Sequence, residues 1–419
     1  MLPGAARSRL LPMSAPFRYF GAAAAFQVAA WALLLVFSHE ILSFEIGLGP
    51  VFAALHLVTL GVLAMAAIGA TLQLLPVATR QPVRALWAVK LVWWLLVPGT
   101  ALFAWAAATY RPLVMGPGAM LVVVAFLLYG VLLSKNLLGA RGMKLVVAHG
   151  WAALACLVAL AATGLAMVGR YEHGWAIDHI ALRQAHLVLA TYGFMGLLAF
   201  GLSGFLLPML AVASPPAAAI TRGVLWIAVA ALLLGASGFV LPAVALGLVA
   251  VALHVGSLER SLRARLRPAL GPSFALIRVS WACLAASLVL GALMELGIAP
   301  PGAPLAFGVL LVPGWLLTFL LGVLQRILPF LASVHASTSA HGTPIISALT
   351  PAALLRLHQV LHLAALALLL AAAFAGEPLP AFAGAAAGLA GAAAFAAFVT
   401  FVILKVRHGI QPPHQPATA

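Results

Sequence analysis

Charged side chains are scarce in this chain, and acidic ones scarcest: 7% of its 419 residues are charged, and Asp and Glu together number 7. Soluble proteins of this length carry about 25% charged residues, so a soluble globular domain is excluded. Cysteine is nearly absent, with Cys156 and Cys283 set among Leu, Ala and Val, which rules out a disulfide framework and reads as packing. There is no C-x-x-C-H heme-attachment motif, no Walker loop and no dinucleotide fingerprint. What is abundant is apolar: 65% of the residues are hydrophobic and the mean hydropathy is +1.17. The composition describes an all-α polytopic membrane protein.

Apolar windows of about 20 residues predict twelve spans, at 17–37, 51–75, 85–108, 117–134, 145–168, 184–208, 222–240, 242–258, 276–297, 305–330, 351–374 and 381–404. Leu241-Pro242 is taken as the break between the seventh and eighth. No connection is long enough for a soluble domain, so residues 1–419 read as one integral membrane domain. The first apolar run is too long for a cleavable signal and lacks a small-residue cleavage site.

The formal charge of +15 does not indicate nucleic acid, because its distribution is that of a membrane protein. Nineteen basic residues, from Arg7 to Arg407, fall at one set of loop ends; only Arg111, Arg170 and Arg183 fall at the other, beside Glu40, Glu45, Glu172, Asp178 and Glu377. The positive-inside rule then puts both termini in the cytoplasm of a cell whose membrane, on this reading, is the bacterial inner membrane.

Glycine and proline reveal a repeat. The pattern G-x7-G-x6-P occurs at Gly61/Gly69/Pro76, Gly193/Gly201/Pro208 and Gly314/Gly322/Pro329, where well under one match is expected by chance. It falls on the second, sixth and tenth spans and divides the chain into three four-helix pseudo-repeats, roughly 17–134, 145–258 and 276–404. Glycines eight apart lie about 80° apart on the helix wheel and make a thin strip. That strip admits either a neighbouring helix or a flat, rigid cofactor. The proline is expected to end each helix at the cytoplasmic interface.

Thirteen histidines are the second anomaly, since an ionisable group inside a span usually faces the bundle interior or a cavity. His56 and His186 lie five and seven residues before the first glycine of their repeats, while the third repeat has Val309 and Phe307 there. His358 and His362, four apart, share one face of the eleventh span. His149 and His254 lie near the cytoplasmic ends of the fifth and eighth spans, and are weaker candidates because one hydrogen bond between helices accounts for each. His335 and His341 are read into a mobile inner loop from Ser333 to Ser339. His39, His173, His179, His408 and His414 read as solvated. Neutral imidazole binds heme iron, copper or zinc. Span interiors lack carboxylates, Glu295 being the only acid near one, so the relay of an ion-coupled carrier is missing. Tyr192 and the tryptophans at 87, 93, 94, 105 and 151 offer aromatic walls or interfacial anchors.

Twelve helices in three units, with histidine near the outer ends of the second helices, resemble the catalytic subunit of the heme–copper oxidases. Leu182-Arg183-Gln184-Ala185-His186, followed by Gly193-Phe194-Met195-Gly196 and Leu207-Pro208, is similar to the low-spin-heme helix of bacterial nitric oxide reductases. Ala54-Leu55-His56-Leu57-Val58-Thr59-Leu60-Gly61 is closer still to the NnrS family of twelve-span heme- and copper-associated proteins. The resemblance implies a non-covalent b-type heme on His56 and His186, with Gly61, Gly69, Gly193 and Gly201 giving the macrocycle room and Arg183 beside it. It implies a second heme or a copper ion on His358 and His362, a role in nitric oxide response or electron transport, and a cytochrome or quinol as electron donor. The oxidase pattern of an HH pair in the seventh span and H-x-H in the tenth is missing, so the usual copper site and proton pumping are not implied. Two other functions remain open: a divergent oxidase or nitric oxide reductase subunit, and a transporter or metal- or heme-trafficking protein.

Overall fold

A chain crossing a bilayer must satisfy its backbone polar groups internally, and the helix does so within each segment. The computed structural model describes residues 9–44, 47–267, 269–336 and 346–407, and there is no strand among them. Arg7, Glu45, His341, His408 and His414 lie outside the described residues.

Among the described residues, twelve helices are long and apolar enough to cross a membrane: α1 Ser14–Val36, α2 Pro50–Thr79, α3 Leu86–Ala108, α4 Pro112–Leu138, α5 Lys144–His173, α6 His179–Ala211, α7 Ala218–Ala236, α8 Val240–Arg263, α9 Pro272–Glu295, α10 Ala303–His335, α11 Ala352–Ala375 and α12 Pro378–Arg407. Their even number puts Ser14 and Arg407 on one face, called here the terminal face; the opposite one is the distal face. Local sequence starts several of them: Pro50, Pro112 and Pro272 open α2, α4 and α9 where no N–H is needed. The Asp178 carboxylate caps α6, accepting from the N–H groups of Ile180 (3.0 Å) and Ala181 (3.2 Å).

Burial identifies the centre of the bundle. In α2, α6 and α10, 78%, 67% and 67% of the apolar stretch is buried, against 22–44% in the other nine helices. These are the three helices that carry the glycine–proline repeat. Each contains one π-helical segment, Leu57–Ala64, Leu189–Met195 and Leu310–Leu317, starting four residues before the first glycine of the repeat. A π segment lodges an extra residue in a turn and shifts the side-chain register beyond it. The threefold repeat is thus written in the backbone as well as in residue types.

The glycine strips are filled by protein. A Cβ on Gly61 would meet Phe26 of α1 at 2.6 Å, on Gly193 the Cys156 sulfur of α5 at 2.9 Å, and on Gly314 the Cys283 sulfur of α9 at 3.1 Å. The second glycines repeat this one turn pair away: Gly69 faces Tyr19 at 2.7 Å, Gly201 faces His149 at 2.6 Å and Gly322 faces Ile277 at 2.9 Å. In every unit the second helix therefore packs its strip against the first helix. The two cysteines hold equivalent places in that contact.

Three expectations need correction. Pro76, Pro208 and Pro329 lie inside their helices and do not end them. Near a helix end proline forfeits a single backbone bond; α2 and α6 run on until Arg80 and Val212, four residues later, turn left-handed at φ 60° and 54°. The break between α7 and α8 lies at Gly238, whose φ of +92° turns the chain, while Pro242 sits in the first turn of α8 where its missing N–H costs nothing. His335 is in the last turn of α10, not in a loop, and bonds across to Gln73 of α2 at 3.2 Å.

Candidate heme and metal centres

A histidine ring is a ligand only through an unprotonated nitrogen, so the first question is where each ring's proton goes. A carbonyl oxygen can only accept, and a hydroxyl that has already donated its proton can only accept. These two facts fix the tautomers of His56, His149, His186, His254, His358 and His362.

His56 and His186 occupy the distal half of the space between the first two units. The His56 Nδ1–H donates to the Phe52 carbonyl at 3.0 Å, one turn back on α2. The His56 ring lies 4.2 Å from the ring of Phe52 and 5.2 Å from that of Phe103 on α3, centroid to centroid. His186 bonds through Nδ1 to the Thr163 hydroxyl of α5 at 3.2 Å. That hydroxyl donates to the Leu160 carbonyl at 3.0 Å, so it accepts from His186. Gly164 beside it leaves room for the imidazole, whose Cε1 would be 3.3 Å from a Cβ there. Both rings therefore present an unprotonated Nε2. They are near enough for a positive charge on one to repel a charge on the other. Both are half-buried, and no residue of the distal stretch His179–Val188 of α6 is fully buried. Arg183 is half-buried one turn distal to His186 on the same face of α6.

The second group lies toward the terminal face. The His149 Nδ1–H donates to the Leu145 carbonyl at 2.8 Å, leaving Nε2 unprotonated. His254 differs. Its Nε2 bonds to the Ser203 hydroxyl at 3.0 Å, and that hydroxyl donates to the Phe200 carbonyl, so Nε2 carries the proton. The His254 ring stacks on Phe200 at 4.3 Å and 4°, with Trp281 edge-on at 5.2 Å. His254 is thereby a hydrogen-bonded link between α8 and α6.

The third group lies between α10, α11 and α12. The His358 Nδ1–H donates to the Gly391 carbonyl at 3.0 Å, and its buried Nε2 has no hydrogen-bond partner. His362, one turn on with its ring 5.8 Å away, uses Nε2 to donate to the Thr318 hydroxyl at 2.7 Å. Thr318 passes its own proton to the Pro313 carbonyl, an acceptor inside the π segment of α10. The His358/His362 pair thus divides into one open nitrogen and one engaged nitrogen.

Among the described residues, no group of three or more His, Cys, Asp or Glu is placed to hold one metal ion. Three other described histidines are peripheral: His39 and His173 are exposed beside Glu40 (3.8 Å) and Glu172 (3.7 Å), and His179 is exposed at the start of α6. Trp87, Trp94, Trp105 and Trp151 are exposed on the outside of the bundle, where lipid would meet them, and Trp93 donates to the Arg18 carbonyl at 3.1 Å. Sequence reasoning passed over Trp281 and Trp315, the second of which stacks on Tyr192 at 5.4 Å and 27° near the pseudo-threefold axis. Lone aromatics in apolar runs carry no signal of that placement.

The fit of a heme to these residues is mixed. His56 and His186 lie near one another and each keeps an open Nε2, with its other nitrogen held as metal-ligating imidazoles usually are. The four glycines do not contribute room for a macrocycle, since Phe26, Tyr19, Cys156 and His149 fill the space before them. No protein-family model matches this chain, and no curated protein matches it significantly.

Proposed function

We propose that this membrane-spanning helical protein binds a b-type heme non-covalently between α2 and α6, where His56 and His186 would hold its iron, and serves electron transfer or the response to nitric oxide. The single observation that supports this reading is the shared tautomer: both rings give their Nδ1 proton to a fixed acceptor and keep an unprotonated Nε2. Heme bound there supplies one-electron chemistry. The chain's own residues do the rest. The Phe52 carbonyl and the Thr163 hydroxyl hold the imidazoles in orientation, Phe52 and Phe103 wall the site against water, and Arg183 offers a cation to a carboxylate at the distal edge. His358, with its buried open Nε2, is the candidate ligand for a second heme or for copper, and a cytochrome or quinol is the expected electron donor.

The test is the absorption spectrum of detergent-purified protein, oxidised and dithionite-reduced, with pyridine hemochrome and metal analysis on the same sample. A Soret band that is lost in His56→Ala and in His186→Ala, and kept in His254→Ala and His362→Ala, is expected. Heme retained in both of the first two variants overturns the ligand assignment, and no heme after heme-replete expression overturns the reading as a whole.

A further inference from the structure

The three central helices line a narrow, partly open apolar cavity on the pseudo-threefold axis, and its lining obeys the repeat. Ala67, Ala199 and Leu320 form one level of the wall, and Leu74, Leu206 and Ile327 another about 10 Å nearer the terminal face. Each level takes one residue from α2, one from α6 and one from α10, at the spacings of 132 and 121 residues that separate Pro76, Pro208 and Pro329. Ser203 is the only polar residue in the lining, and its hydroxyl is engaged with the Phe200 carbonyl and with His254. No wall residue therefore has a free hydrogen-bonding group with which to hold a water.

A buried space without polar partners stays dry and takes apolar molecules instead. The space open to the centre of a water-sized molecule amounts to about 60 Å³. It extends along α6 from Met195 to Leu207, about 18 Å of helix, so it is a slender column and too narrow for a porphyrin. It exists because alanines stand at 67 and 199, where the third unit has Leu320, and at 70, where the other units have Leu202 and Val323. A lipid or quinol would also need an anchor for its polar head, which the lining does not provide. We infer that this axial column is a binding site for small, uncharged, apolar molecules of the size of a diatomic gas, kept apart from the polar groups that lie between the units. The inference does not rest on the heme assignment, since no histidine lines the column.

Xenon is the probe, because it matches such a ligand in size and polarity and is directly visible. Crystals or detergent-solubilised protein under xenon pressure are expected to show xenon bound between α2, α6 and α10. Ala199→Phe, and separately the milder Ala70→Leu, should abolish that binding, while the size-exclusion profile and thermal stability are kept or improved, as for a filled cavity. Heme-free protein should bind xenon as the whole protein does. Absence of xenon from the wild-type column, ordered water or an acyl chain in its place, or undiminished binding in both folded variants would each overturn the inference.

Discussion

A methyl group added to α6 at two neighbouring glycines should have opposite consequences. A Cβ on Gly201 falls 2.6 Å from the Cβ and 3.0 Å from the Cγ of His149; a Cβ on Gly204, one turn on, meets nothing within 4 Å. Both Gly→Ala changes gain about 1 kcal/mol from helix propensity, so that contribution cancels in the comparison. What remains is overpacking at Gly201, about 1–3 kcal/mol, and it cannot be relieved by a rotamer change because the contacted Cβ is fixed to the α5 backbone. Gly204→Ala is therefore expected to be as stable as wild type or more so, and Gly201→Ala less stable than Gly204→Ala by that amount. Gly193→Ala should fall between, because the atom it meets, the Cys156 sulfur, can rotate. Steric-trap or SDS-induced unfolding in bicelles, following all three variants, measures the difference. If Gly201→Ala and Gly204→Ala agree within about 0.5 kcal/mol, the strip is not a tight helix contact and the account of the repeat as a packing device fails.

Three further outcomes follow from single contacts. Thr163→Val keeps the volume beside His186 but removes the acceptor of its Nδ1 proton, and heme should be lost about tenfold faster to an apoprotein acceptor; an unchanged rate separates Thr163 from the site. Glu172→Gln weakens the bond from the Gly116 N–H, 2.7 Å long and near the start of α4, and should cost about 0.5–1 kcal/mol in the same unfolding assay. Arg278→Ala breaks a two-pronged ion pair with Glu259 at 2.8 and 2.9 Å, yet both side chains are partly exposed, so a loss of less than about 1 kcal/mol is expected; a larger one would show that the pair is shielded in the membrane.

The spans were legible because twenty apolar residues leave few alternatives in a chain so poor in charge, and the repeat because glycine and proline act on the backbone directly. The ends of helices were less so. Pro76 and Pro208 look like terminators, but the chain stops its helices with left-handed turns at Arg80 and Val212, residues that give no sign of it. The π segments were invisible, since they shift hydrogen bonds without demanding any residue type, although each begins at the same distance from its glycine. His56 and His186 stood out by position in the repeat. That His254 and His362 have their Nε2 atoms engaged could not be read from sequence, because the acceptors, Ser203 and Thr318, are on other helices 51 and 44 residues away.

Symmetry and chemistry are divided within this bundle. Along the axis the three units present equivalent apolar residues, and the histidines lie away from it. There the equivalence ends. Where the first two units carry His56 and His186, the third carries Val309, which is buried, and Phe307, which packs 3.4 Å from the Cβ position of Gly291 on α9. Gly291 makes room for Phe307 as Gly164 makes room for His186, and a phenylalanine in that room offers no ligand atom. The π segments and glycine strips that shape all three units are thus insufficient to make a site. A ligand site would need at least a histidine with an acceptor for its Nδ1 proton; α2 and α6 supply both near the same place in the repeat, through Phe52 and Thr163, and α10 has no histidine there.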